Sequence, residues 1–219
     1  MRTTPMFALA AATALTLSAC GGGSDPLTQE QTAEALLTEE EFPLEGFTAG
    51  TIQEGTGDTT ADPDDDPLAG FPGADQLEQE CQDALSEIGS MDAVFDAQSS
   101  LEFTGTAGAE DVTGPPTVQL VVAALGDGDN PLDLIDGLNS SCEEVTVEDG
   151  GMSMTMTFSE VDGDAQGTTI GIEMAGLDLE VIFAGREDGG TYTVVTGMGI
   201  TDDEAIQVLD AQDEKIASL

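Results

Sequence analysis

The chain has 219 residues, with 45 Asp and Glu against 3 Lys and Arg, a formal net charge of −42, and neither His nor Trp. So few cations cannot neutralise a run of phosphates, which excludes nucleic acid as a partner and a basic patch for anionic lipid. Without histidine there is no Ser-His-Asp or Cys-His nucleophile system and no histidine metal site, so the chain is read as a non-enzyme without a cofactor.

Residues 1–19 read as a signal peptide. Arg2 supplies the positive start, and Met6 to Leu17 is an apolar run too short to cross a bilayer. Its exit, Leu17-Ser18-Ala19-Cys20, has the form of a bacterial lipobox. Cys20 is then the lipidation site, carrying diacylglycerol and palmitate, and residues 20–27 form a flexible tether rich in glycine. Acyl chains in combination make anchoring stable. The expected location is the outer face of the cell membrane, with the membrane as a partner through the lipid. An ordinary signal peptide with a chance cysteine is the alternative.

Cleavage would remove Arg2 and leave Arg186 and Lys215 against all 45 acids. Charge of one sign strains a compact chain by self-repulsion, and salt screens it. The melting temperature is therefore expected to climb between low and moderate ionic strength, equally in sodium and potassium. A flat thermal-denaturation series would show the charges too dispersed to matter.

Residues 28–219 read as one α+β domain. Thr28 to Gln31 resembles a capping box opening a helix over 28–37. Phe47 to Glu54 suits a strand. Residues 55–74 are poor in apolar side chains and rich in Asp and Pro, the composition of a mobile acidic loop. A helix over 75–88 follows, capped by Asp75 and Glu78, with Leu77, Cys81, Ala84, Leu85 and Ile88 on one face. Asn130-Pro131 opens another helix that ends before Cys142. An exported pair of cysteines reads as a disulfide, Cys81–Cys142, closing a long loop and constraining the unfolded chain by roughly 4 kcal/mol. Two buried free thiols are the alternative.

Period-two alternation marks strands at Val118–Val122, Met152–Phe158, Ile170–Met174, Leu177–Phe183 and Tyr192–Thr196. Turns at Asp162-Gly163, Ala175-Gly176 and Asp188-Gly189-Gly190 suit hairpins. Thr201 to Glu204 opens a closing helix. The expected fold is an antiparallel β-sheet with helices packed on one face.

Two local patterns invite a ligand. Asp162, Asp164, Gln166 and Glu173 fall at the spacing of a calcium loop. Gln166 is long and uncharged for its position, however, and the flanks alternate as strands where helices are needed, so a plain hairpin loop competes. Met152, Met154, Met156, Ile170, Ile172 and Met174 place polarizable side chains on one sheet face, as in the wall of an adaptable apolar cleft. Simple core packing beneath the helices competes here, and thioether binding of Cu(I) is a third reading.

The lipobox, the segment ALLTEEEFPLEGF (residues 35–47), a cysteine in an early helix, a second after a helix-to-strand transition, and the terminal DEAIQVLDAQDEKI together resemble actinobacterial lipoproteins. Those are similar in turn to the extracellular sensor domain of a mycobacterial serine/threonine kinase. The resemblance implies an α+β sheet domain with a cleft, an unassigned ligand and no catalytic residue. Members often carry two disulfides, whereas this chain can make one. The expected function is a sensor-like or ligand-binding envelope lipoprotein for an apolar or envelope-derived ligand. An interaction protein without a small ligand and a cation-binding acidic lipoprotein are the alternatives.

Overall fold

A computed structural model of the chain describes residues 26–60, 76–89, 92–106, 114–126, 130–142, 144–149, 152–161 and 163–219. The segment read as a signal peptide, Cys20, most of the segment read as a tether, Asp75 and Asp162 lie outside these residues. Chain order is α1 (Gln29–Ala35), β1 (Thr48–Ala49), β2 (Gln53–Thr60), α2 (Gln79–Gly89), β3 (Asp92–Thr104), β4 (Thr117–Leu125), α3 (Pro131–Ser141), β5 (Glu144–Asp149), β6 (Met152–Glu160), β7 (Gln166–Met174), β8 (Leu177–Asp188), β9 (Thr191–Met198) and α4 (Asp202–Ile216).

The strands form one nine-stranded antiparallel sheet in the order β1-β3-β4-β9-β8-β7-β6-β5, with β2 also on β3. After β4 the chain crosses through α3 to the far edge. It then returns as a meander from β5 to β9, which closes against β4. Two of the turns need positive φ. Ala175 and Gly176 stand at φ 52° and 85°, and Gly189 and Gly190 at 60° and 80°. A two-residue turn of this hand matches the twist of the strands it joins.

The expected antiparallel sheet with helices packed on it is present in a single domain. The helices divide between two faces, however, where the sequence suggested one. Leu101, Phe103, Val118, Leu120, Val122, Ile182, Ala184 and Val195 form a core with the segment around α1 and with α4. Phe42 stacks on Phe103 there, with ring centroids 3.9 Å apart. Their strand neighbours Val121, Phe183, Val194 and Tyr192 point the other way, to Leu132 and Ile135 of α3. Central strands buried on both sides carry near-continuous apolar runs, such as Val118 to Leu125, and these hide the second face from a period-two reading.

Three capping readings hold. Thr28 with Gln31 and Thr201 with Glu204 form reciprocal capping boxes, and the Asn130 side chain accepts from the Leu132 amide at 3.0 Å. Helix α2 starts at Gln79, later than expected, because the residues before it are engaged elsewhere. Gln82 Nε2 donates to the Leu77 carbonyl at 2.8 Å, and Gln76 bonds to β5. The acidic loop placed at 55–74 is corrected at its start: residues 55–60 belong to β2, paired with β3. An edge strand can be held by its backbone ladder with few apolar side chains. The rest of that stretch lies outside the described residues.

Candidate functional site

Cys81 and Cys142 are joined in a disulfide, with Cα atoms 5.0 Å apart. The bond ties α2 to the C-cap of α3, and both cysteines are buried with Leu77, Leu138, Val145, Val147, Met156 and Phe158. Met154, Ile170 and Ile172 pack against this cluster from partly buried positions, together with Ala84, Leu85 and Ile88 of α2. Of the six residues expected to wall a cleft, these four therefore pack under α2 and α3 rather than face open space. Met152 is described in its backbone alone. Met174 is 40 % exposed at the β7–β8 turn and borders a shallow, mostly polar depression of about 350 Å3 with Ser153, Thr155 and Glu173. The helices covering this face are α2 and α3, whereas α4 packs on the opposite face.

The calcium-loop residues do not converge. Gln166 and Glu173 stand at the two ends of β7, roughly 23 Å apart along an extended strand. Their odd separation puts them on opposite faces. Gln166 Nε2 donates to Asp133 of α3 at 3.4 Å, while Asp164 is ion-paired with Arg186. Among the described residues no group of three or more acids and cysteines is placed to hold a metal.

A cavity that the sequence did not announce opens on the other side of the sheet. It measures about 680 Å3 and lies between β8, β9, the end of α4 and the first turn of α1 with the residues preceding it. Leu27, Ile216 and Leu219 supply apolar wall, Gln31, Thr191 and Thr193 supply neutral polar groups, and Arg186, Glu187, Asp188 and Asp213 supply charge. Volume and mixture fall in the range of small-molecule sites.

Arg186 organises one wall. Register pairs it with Thr193, so its side chain leaves the sheet toward α4. Its Nη1 donates to Asp210 and to Asp213, each at 2.8 Å, and its Nη2 to Asp164 in the β6–β7 turn. Burial alone would lower the Arg186 pKa, but the bonds to Asp213, Asp210 and Asp164 outweigh it and hold the group above its ordinary value. The charge is thus permanent. Arg186 Nε is buried without a partner among the described residues. The other cation, Lys215, donates to Glu41 at 2.5 Å and also anchors α4. That bond, with those from Thr38, holds Glu41 down at about 2. A depressed carboxylate contributes stability that is complete above its ordinary 4.5 and lost as pH falls through about 2.

Arg186→Gln keeps polar bulk but leaves three aspartates facing one another. We expect it to destabilise the domain by about 1–2 kcal/mol, since the acids remain partly solvated, and the loss to shrink as salt is added. A urea titration at two ionic strengths checks both. A salt-independent loss would assign Arg186 a packing role only.

No family model matches the chain, and no curated protein matches its sequence. Solved structures do match its shape. The chain is similar to the extracellular domain of PknH from Mycobacterium tuberculosis, with TM-score 0.52 and 17 % identity over 90 % of this chain and 100 % of that one. An uncharacterized protein of Mycobacterium smegmatis, an Rv0999 ortholog, aligns at TM-score 0.46 and 11 % identity over 89 % and 97 %. The fold is shared with an extracellular domain. No helix among the described residues is long and apolar enough to cross a membrane.

Proposed function

We propose that this chain is a cell-envelope lipoprotein, acylated at Cys20, whose domain works as a sensor-like ligand-binding module on the outer face of the membrane. The observation that carries the reading is the position of the 680 Å3 cavity. Leu27 is one of its walls, and Pro26 lies against Gly190, where an added Cβ would meet it at 3.3 Å. Pro26 is the first described residue, six positions after Cys20 in the sequence. Residues 20–25 span at most about 20 Å, so a lipid on Cys20 would hold the cavity mouth near the bilayer. A site so placed samples molecules that partition into the envelope.

The lining narrows the ligand. Arg186 is already neutralised by three aspartates, and Glu187 and Asp188 add negative charge beside it. An anionic headgroup would meet net repulsion. An uncharged or cationic amphiphile suits the cavity better, with its apolar part on Leu27, Ile216 and Leu219 and its hydroxyl or amide groups on Gln31, Thr191 and Thr193.

Two experiments test the halves of this reading. Cys20→Ala is expected to release the protein from the membrane fraction or leave it uncleaved. Normal processing and membrane pelleting would end the lipoprotein reading. Ala217→Trp, at the exposed cavity rim just past α4, is expected to cut uptake of the uncharged fluorophore phenylnaphthylamine about tenfold while Met174→Trp leaves it unchanged. The reverse pattern would return the site to the β7–β8 turn.

A further inference from the structure

We infer that the free edge of β5 is a docking site for a basic, extended segment of another protein, which would add to the sheet as a further strand. Among the described residues β5 is the terminal strand of the sheet. In an antiparallel strand the N–H and C=O of one residue point to the same side, and successive residues alternate. Glu148 fixes the phase. Gln76 Nε2 donates to its carbonyl and Gln76 Oε1 accepts from its amide, both at 3.1 Å. Glu148 therefore faces away from β6, and by the same alternation so do Thr146 and Glu144. A side-chain amide already occupies one position of this edge as a neighbouring strand would. Among the described residues no hydrogen bond takes up the outward groups of Thr146 and Glu144.

The space beside these two residues is open and selects by charge. A groove of about 430 Å3 runs between the edge, the start of α2 and the end of α3. Glu78, Glu80 and Glu144 line it, and no Lys or Arg does. The last turn of α3 carries no basic residue, so its carbonyl ends add negative potential at Ser140 and Ser141. The first turn of α2 carries Glu80, which offsets that helix's positive end. A second copy of this chain would bring a further 42 excess negative charges, so the edge is closed to self-association by repulsion. A strand with Lys or Arg at alternate positions would satisfy the Thr146 and Glu144 backbone and place cations in the groove. This is strand addition, in which backbone bonds supply affinity and alternate side chains supply choice.

The test uses the full chain and a short peptide alternating Lys with Val or Thr. Saturable binding is expected, with NMR amide shifts centred on Glu144 and Thr146. The same peptide, N-methylated at alternate backbone positions, keeps its charge and is expected to bind about tenfold more weakly. Thr146→Pro, which removes an outward N–H that the β5–β6 ladder does not use, should weaken the unmethylated peptide by a similar factor. Equal binding of methylated and unmethylated peptides would reduce the interaction to charge attraction and overturn the proposal. So would amide shifts confined to other surfaces, or no binding at low salt. The peptide arms need no variant, so misfolding of Thr146→Pro would not blur the outcome.

Discussion

Replacing Cys81 and Cys142 together by alanine is expected to lower the stability of the domain by about 4 kcal/mol. The bond links positions 61 residues apart, so the unfolded chain gains much freedom when it is lost. It also has a local role. α2 is 11 residues long, too short to be stable by itself in water. It is fastened to α3 through Cys81 and to the β5–β6 face through Leu77, Leu85 and Ile88. Without the bond α2 should open before the sheet does. In urea the midpoint is expected to fall by about 2 M, and amide exchange in α2 should rise more than exchange in β4 or β9. Thiol titration of the unreduced, denatured protein should find no free thiol from either cysteine. A midpoint within a few tenths molar of the parent would mean that packing alone holds α2.

How much of this was legible beforehand depends on where each signal resides. Local signals carried well. The two capping boxes, the Asn130-Pro131 start and the glycine turns are written in a few adjacent residues. The strands of the β6–β9 meander were legible because one side alternates cleanly. Strand β3 was not read, and Ser99 shows why. It is fully buried among apolar neighbours, yet it is a hydroxyl, satisfied by Thr32 at 2.9 Å and Gln29 at 3.1 Å from α1. A register shift between Phe95 and Ala97 breaks the alternation a second time and sends Phe95 to the α3 side. Partners 67 and 70 residues away in the chain make Ser99 a core residue, and no window of sequence contains them.

The same distance problem hid the cavity. Its walls come from the start of α1 and the residues before it, from β8 and β9, and from the end of α4, and no one stretch looks like a site. The Met face failed in the opposite way. It was visible as a stripe, but a stripe says only that something covers it. Here the cover is a pair of helices locked together by the disulfide. The cations were the better clue. With Arg186 and Lys215 as the sole cations after residue 2, each carries weight, and both hold α4, which forms one side of the cavity.

The second large effect is expected at Gln212, a fully buried side chain that joins α4 to the end of α1. Its Nε2 donates to the Ala35 carbonyl at 2.7 Å, and its Oε1 accepts from the Leu37 amide at 3.2 Å. The first is a carbonyl that the end of α1 leaves without an internal partner, and the second is an amide just past the C-cap Leu36. Water has no access, because Leu36, Leu37, Val208 and Leu209 are each at most 2 % exposed. Gln212→Ala would strand both backbone groups and leave a void, costing about 3 kcal/mol. Gln212→Met fills most of the volume without the bonds, so the difference between the two variants isolates the cavity contribution. Gln212→Glu gives the sharpest test. The introduced carboxylate can still accept from Leu37, but its other oxygen would face the Ala35 carbonyl, and burial would raise its folded pKa. The folded state then binds the proton more tightly than the unfolded one. The penalty relative to the parent should be full at neutral pH and shrink as pH falls, when the protonated acid can donate to Ala35. Because α1 and Leu27 border the cavity, the variants should also lose fluorophore uptake at temperatures where the sheet is still folded. A Gln212→Ala loss below about 1 kcal/mol, or a Gln212→Glu penalty that does not change with pH, would show that α1 is held by its apolar contacts and that its end finds other partners.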